Sequence, residues 1–484
     1  MKLEAAIKFM KADGTALEPG LLSRAVAYFV TDSRKVQPGD LFFAFSQPEF
    51  ENNCFNGEFM DATSFAASAL NSGAIAAVIR RDRFDEQAET LRPFHNRLIF
   101  SDDVIVAFQS LAHGVWLDWG NPVVGVTGSA GKTTAKELIA HLLEESGRRV
   151  LRTEKSMNNG LGLPMTVLKL QADSSYDVAV LEMGMSTPNR EIARLCEITP
   201  PEVGVVLNVL PVHVEYLGSL ENVAKAKAEM IEGIKPGGIA VLNADDENVV
   251  AMCKLHEGKT LTFGIEKKAD LMALGVTMKS FGETHFTLRT PDGDEEVVFQ
   301  LSGKHNVLNA LAASAVGFGF GMTAQEISQA LGNVKPPTQR GEILHFQDGF
   351  TVINDSYNSN PMALRKMIST MIEGADANQR KILVAGEMLE LGTHERQIHN
   401  QLGKEIAKSG IDFLLGVRGL AMELVEGAKS EGFENAQFAS DSDEAAEMLL
   451  AFVEPNDLIL VKGSRGVRTE KVIEKLKEKF EVTK

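Results

Sequence analysis

The stretch GVTGSAGKTT, residues 125–134, decides how this chain is read. It ends an apolar run, VVGVT (123–127), and leads into residues 135–143, whose apolar positions recur at helical spacing. Small residues between a strand and a helix let backbone N–H groups close around phosphate oxygens, and the helix adds the positive end of its dipole. The glycines are Gly125, Gly128 and Gly131, while Val126 stands where the standard pattern has its leading glycine, so the spacing is that of a TGxxGKTT variant. Lys132 can reach the β- and γ-phosphates, and Thr133 offers a hydroxyl to Mg²⁺. Thr127, Gly128, Ser129, Ala130, Gly131, Lys132, Thr133 and Thr134 are the expected ATP cradle. A glycine-rich turn that binds nothing would not need strand, loop, Lys-Thr-Thr and helix to coincide.

Outward from this loop, short runs rich in Val, Ile and Leu recur, each followed by a helix-patterned stretch. They lie at 40–45, 74–79 and 97–100, at 178–184, 203–209 and 238–245, and at 381–388, 412–417 and 457–462. Runs apolar on both faces read as parallel strands covered by helices. Residues 273–301 alternate polar and apolar around Asp292 and Gly293, the pattern of a smaller β-hairpin element. The 484 residues, at about 150 per domain, suggest three domains. WLDWGNP (116–122) and KPPT (335–338) mark the breaks, giving 1–117, 118–335 and 336–484. The expected fold is α/β, with a central doubly wound P-loop-type sheet.

Hydrophobic residues make up 44% and charged residues 24%, the composition of a folded globular chain. Lys+Arg 49 against Asp+Glu 66 leaves a net charge of −17, which repels nucleic acid and anionic membrane. Three cysteines, none in a CxxC pair, fit a reducing cytoplasm. The start of the chain lacks a basic segment followed by an apolar run, and no apolar stretch approaches a membrane span. A secreted, membrane-inserted or DNA-coating protein is not expected.

Three features fall at the carboxyl ends of expected strands, where open α/β sheets place ligands. Glu182 closes the run VAVLEMG, and its carboxylate suits Mg²⁺. His213 follows the next strand, in PVHVE (211–215); a lone histidine is open to either a structural or a catalytic reading. The helical stretch 221–234 has an apolar stripe of Val223, Ala226, Met230, Ile231 and Ile234, and Lys227 falls on it. Lys225 points about 200° away, toward water. A lysine on a buried stripe needs either a snorkelling route or an anionic partner.

Together these segments resemble the Mur ligase family, the ATP-dependent enzymes that build the peptide stem of peptidoglycan. TDSRKVQPGDLFF (31–43) is similar to the uridine-nucleotide signature of the first domain, which implies roles for Ser33 and Arg34. TEKSMNNGLGLP (153–164) resembles the segment that meets the muramoyl substrate, through Asn158 and Asn159. GKHNVLNALAA (303–313) looks like the helix whose asparagines, here Asn306 and Asn309, lie near adenine. Arg340, NDSYNSNP (354–361), GEMLELG (386–392) and KGSR (462–465) resemble the third, Rossmann-like domain. There Arg340 and Asp355 would serve the nucleotide, and Tyr357, Asn358 and Asn360 the incoming amine. DSYNSNP, in place of a DYAHTPD-like sequence, resembles the branch that adds D-alanyl-D-alanine to a UDP-N-acetylmuramoyl-tripeptide.

The resemblance implies an acyl-phosphate mechanism with ATP and two Mg²⁺ ions, Thr133, Glu182, His213 and Lys227 serving the metals and Lys132, His213 and Lys227 the catalysis. It also implies a carbamate at Lys227, since several family members carry one at the matching lysine. A monomer is expected, with a third domain that closes over ATP at KPPT. Two departures stand out: Glu387 replaces the usual Asp, and SQPEFENNCFNGEF (46–59) does not follow the family's DGHDF pattern. Another amino-acid-adding Mur ligase, a folylpolyglutamate synthase-like enzyme, a P-loop ATPase or kinase, and a scaffold with a dead nucleotide site are the competing readings. TDSRKVQPGD and DSYNSNP argue against the folate branch, and the intact set of Lys132, Thr133, Glu182, His213 and Lys227 against the scaffold.

Overall fold

The computed structural model describes every residue except 54, 56–59, 186, 188, 212–216, 281, 336–338, 390 and 484, and the side chains of 280 and 393. The chain is α/β, with its strands in three sheets. It divides into two compact units. One comprises Met1–Met272, Arg289–Asp294 and Leu308–Ile327; the other comprises Ala273–Leu288, Glu295–Val307 and Ser328–Lys484. Part of the expected linker, residues 336–338, lies outside the described residues.

In the first unit, β1 (Phe29–Val30), β2 (Leu41–Phe43), β3 (Ala76–Arg80) and β4 (Leu98–Ser101) form a parallel sheet in sequence order. The second sheet of this unit contains β5 (Val123–Thr127), β6 (Val150–Arg152), β7 (Val178–Glu182), β8 (Val203–Val206), β9 (Ile239–Asn243) and β10 (Lys259–Gly264), all parallel in the order β10-β9-β8-β5-β7-β6. Every residue of β5 and β7 is buried, which explains the apolar run that each strand carries up to its last residue, Thr127 or Glu182. Each Val or Leu so enclosed contributes about 1.5–3 kcal/mol. Strand β5 has β8 on one flank and β7 on the other, so the chain leaves β5 to one side and returns to the other. The crevice beyond these carboxyl ends is where such sheets take ligands. β6 and β10 carry no apolar run of the expected kind and went unread in the sequence.

Helix Val104–Trp119 packs its buried face, including Phe108 and Leu111, into the same apolar core as β2, β3 and β5. Its entry is held by residues 46–53, part of the departing stretch 46–59, of which 54 and 56–59 lie outside the described residues. Glu49 accepts from Ser46 N–H (2.6 Å) and Ser46 Oγ (2.9 Å), closing a capping box, and also from Val104 N–H at the start of the long helix. Burial pushes the Glu49 carboxyl up to about 7, against the lowering effect of these donors. Between its ordinary 4.5 and about 7 the folded chain therefore holds a proton that the unfolded chain has lost. The stability contributed by this site is fully present below 4.5 and declines as pH rises through 7, by at most about 3 kcal/mol. Glu49→Gln is expected to flatten the stability-versus-pH curve between pH 5 and 8 in denaturant unfolding. A variant curve parallel to that of the wild type across this range would contradict it.

The strands β11 (Leu271–Ser280), β12 (Glu283–Thr290) and β13 (Gly293–Phe299) are the smaller β element, with Asp292 in the turn before Gly293 as expected. In the second unit, β14 (Glu342–His345), β15 (Thr351–Asp355), β16 (Arg380–Gly386), β17 (Phe413–Val417), β18 (Ala436–Ala439) and β19 (Asp457–Lys462) are ordered β14-β15-β19-β16-β17-β18. β14 is antiparallel to β15 and the rest are parallel, a Rossmann-like sheet with apolar cores on its two faces. Among the described residues no helix is long and apolar enough to cross a membrane.

Candidate functional site

Strand β5 delivers Thr127 to the loop, and helix Lys132–Glu145 starts directly after Gly131. The first N–H groups of that helix have no intrahelical carbonyl and are left to bind an anion. Gly131 is left-handed (φ +84), and a Cβ there would come within 2.6 Å of Asn309 Oδ1, so conformation and space both demand glycine. Asn309, 5% exposed, is thereby placed beside the loop. Thr127 is buried, and its Oγ1 has no hydrogen-bond partner among the described residues.

Lys132 Nζ donates to Gly128 O at 2.8 Å, folding the ammonium over its own loop. Burial lowers its pKa, and the charge of Glu182 works in the opposite direction. Thr133 Oγ1 donates to Glu182 Oε2 at 2.9 Å, and Asn158 Nδ2 donates to Glu182 Oε1 at 2.8 Å. Both oxygens of this nearly buried carboxylate are thus oriented by side chains from different segments. Glu182 N–H donates to Thr153 Oγ1 at 3.0 Å, and Thr153 O accepts from the buried ammonium of Lys136. A hydroxyl and a carboxylate in contact are the hard oxygen donors that Mg²⁺ prefers. No cluster of three or more His, Cys, Asp or Glu side chains that could hold a metal occurs among the described residues.

Lys227 lies on helix Leu220–Glu232 among the buried Val223, Ala226, Met230 and Ile231, and is itself 3% exposed. Lys225 is exposed, as the helical phase requires. No hydrogen bond or ion pair reaches Lys227 among the described residues. Burial, and secondarily the charge of Lys132, bring its pKa down to about 7. His213 lies outside the described residues.

The remaining expected residues make contacts within their own units. Asn159 Oδ1 accepts from Gly162 N–H at 2.9 Å and shapes the turn into helix Gly162–Val167. Ser33 and Arg34 form a short 3₁₀ turn, where Arg34 makes a two-pronged contact to Asp32 (2.9 Å for each bond), and no hydrogen bond links either to the phosphate loop among the described residues. In the second unit the Arg340 guanidinium lies 4.2 Å from the Tyr357 ring centre, with Arg465 at 5.9 Å from it. Lys462 Nζ reaches Asp355 Oδ2 at 2.5 Å and Asn358 O at 2.8 Å. Asn358 Oδ1 accepts from Ser359 N–H (2.9 Å), and Asn360 Oδ1 caps helix Pro361–Gly374 by accepting from Ala363 N–H (2.8 Å). Asn306 Nδ2 donates to Ser302 O at 2.8 Å.

The structure thus gathers the phosphate loop, Asn158, Glu182 and Asn309 in one place, with the charge of Lys132 felt at Lys227. Sequence reading assigns no individual role to Thr153, Lys136 or Asn208 around that cluster, or to Lys462 in the second unit, although Thr153 opens TEKSMNNGLGLP, Asn208 opens NVLPVHVE and Lys462 opens KGSR. Lys136 carried a usable signal, since it shares a helical stripe with Ile139, Ala140 and Leu143, all buried.

Comparison with known proteins points the same way. The Mur ligase middle domain matches residues 126–317, and the Mur ligase glutamate ligase domain matches residues 339–465. A UDP-N-acetylmuramoyl-tripeptide–D-alanyl-D-alanine ligase of Bacillus subtilis is 34% identical over 469 residues, covering 96% of each chain. The crystal structure of MurF from Acinetobacter baumannii is similar with a TM-score of 0.85 at 26% identity, covering 99% of this chain and 98% of that one. The MurF ligase of Thermotoga maritima, solved in complex with ADP, is similar with a TM-score of 0.77 at 28% identity, over 93% of this chain and 97% of that one.

Proposed function

The chain belongs to the Mur ligase family of ATP-dependent amide ligases, and on that premise we propose that it joins D-alanyl-D-alanine to the free carboxylate of a UDP-N-acetylmuramoyl-tripeptide. The observation that carries the reading is the chain Thr133–Glu182–Asn158 beside the phosphate loop, which ties a nucleotide-binding element to the segment that resembles the muramoyl-substrate contact.

A carboxylate does not condense with an amine in water, because its oxide is too poor a leaving group. Transfer of the γ-phosphoryl group of ATP to a carboxylate oxygen gives an acyl phosphate and ADP. The amine then attacks the carbonyl carbon and loses a proton, and the C–O bond to phosphate breaks. Two anions must meet in the first step, so cations must offset their repulsion. Lys132 supplies one, on an arm long enough to leave Gly128 O for a phosphate. Its lowered pKa reflects burial that a phosphate group would compensate. Thr133 and Glu182 are the residues that would hold Mg²⁺, which supplies further charge screening when bound. Asn158 fixes the orientation of Glu182 for that task. In this reading Thr127 and Asn309 line the nucleotide side, Arg340 and Asp355 also serve the nucleotide, and Tyr357, Asn358 and Asn360 take the amine. Ser33, Arg34 and Asn159 serve the UDP-muramoyl substrate, and His213 a second Mg²⁺. The three domains run 1–117, 118–335 and 336–484, and the enzyme works as a cytoplasmic monomer.

Lys227 belongs to the same proposal as a carbamate. A lysine with its pKa near 7 is about half neutral at neutral pH, whereas an ordinary one is neutral roughly once in several thousand molecules. Its amine lone pair can attack the carbon of CO₂, a proton leaves the nitrogen, and an anionic N–COO⁻ results. That anion turns a buried repulsion with Lys132 into an attraction.

Acceptor choice tests the proposed branch. With UDP-muramoyl-tripeptide and ATP present, D-alanyl-D-alanine is expected to stimulate ADP release far more than diaminopimelate, lysine or glutamate. Equal or greater stimulation by a free amino acid would move the chain to an amino-acid-adding branch of the family.

A further inference from the structure

The ladder between β5 and β8 continues beyond the two strands into the phosphate loop. Leu207 N–H donates to Thr127 O at 3.0 Å, and Ser129 N–H donates to Asn208 O at 3.1 Å. The Asn208 side chain then closes a two-bond ring on Ala130: its Oδ1 accepts from Ala130 N–H at 2.9 Å, and its Nδ2 donates to Ala130 O at 3.0 Å. The Ser129 hydroxyl donates to Leu210 O at 3.1 Å and accepts from Leu210 N–H at 2.9 Å. The N–H groups of Ser129 and Ala130 are therefore already bonded, and anion binding falls to Gly131 and the first turn of the helix.

We propose that Asn208 is a positioning residue for the nucleotide: it fixes Ala130 so that the N–H groups from Gly131 onward face the phosphates, without touching the ligand itself. An amide is the side chain for this task, because it presents a donor and an acceptor in one plane, as a peptide does. Alanine removes both bonds to Ala130, and serine is too short to make them together. The proposal rests on the reading of this loop as the nucleotide site, and its test separates the two.

Asn243 provides a matched control. It is buried at the end of β9, and its Nδ2 donates to Leu207 O at 2.9 Å, one residue from Asn208 and away from Ala130. ADP binding in the presence of Mg²⁺ is measured by calorimetry for the full-length wild type, Asn208→Ala, Asn208→Ser and Asn243→Ala, with melting curves for all four. Losing two hydrogen bonds that organise the loop is expected to raise the Kd for ADP about tenfold in both Asn208 variants. Asn243→Ala is expected to melt earlier yet bind ADP as the wild type does, and Asn208→Ser to keep the wild-type KM for the UDP-muramoyl substrate. Wild-type ADP affinity in the Asn208 variants, or equal weakening in Asn243→Ala, overturns the positioning role. Failure of the wild type itself to bind ADP overturns the nucleotide reading, and the proposal with it.

Discussion

Lys132→Ala is expected to leave the chain folded and to lower turnover by on the order of 10²-fold or more, because it deletes a cation aimed at the transferring phosphate. The structure explains why the fold should tolerate it. The ammonium makes one hydrogen bond, to Gly128 O, and pays a burial penalty that depresses its pKa. Removing it sheds that penalty, and Gly131 with Asn309 still define the loop. The measurement is steady-state ADP release beside a melting curve. Activity within a few-fold of wild type, with an unchanged melting profile, would mean that this loop is not the catalytic phosphate site.

Lys227→Ala is expected to lose most activity, and short carboxylates such as acetate or formate to restore part of it by filling the space of the proposed carbamate. Lys225→Ala, two residues away on the exposed face, should be nearly silent. The proposed chemistry also carries a pH signature. Carbamate formation needs the neutral amine, so with CO₂ supplied, wild-type activity should rise as pH increases through about 7. The alanine variant rescued by carboxylate should lack that rise. Depletion of CO₂ should inhibit the wild type and leave the rescued variant unaffected. Equal losses from the two lysine substitutions, or a rescued variant that keeps the wild-type pH profile, would sink the carbamate.

Both predictions come from positions where local sequence signals suffice. The phosphate loop is legible because strand, glycines, Lys-Thr-Thr and helix occupy ten consecutive residues, and each narrows the reading of the others. Lys227 is legible from helical phase alone, and burial in the structure turns that phase into a depressed pKa. Lys136 obeys the same rule, on the buried stripe of the helix that follows the loop. Asn208 is a different case. Its segment, NVLPVHVE (208–215), resembles the family's metal and catalytic stretch, but the bond that matters is to a residue 78 positions earlier, which no local pattern names. Asn360 shows the opposite limit: family resemblance offers it to the substrate, yet Asn before Pro is also a helix-cap signature, and the structure uses its oxygen as a cap. The strands missed are those with little apolar length to show, such as the three residues of β6 and the two of β1.

The most direct test of the proposed function is the mass of the product formed from UDP-N-acetylmuramoyl-tripeptide, D-alanyl-D-alanine, ATP and Mg²⁺, with ADP counted in the same reaction. The account predicts one species heavier than the tripeptide substrate by one D-alanyl-D-alanine less one water, formed with one ADP per product and absent when either acceptor or ATP is withheld. ADP released at the same rate without the dipeptide, with no change in the mass of the UDP substrate, would contradict it.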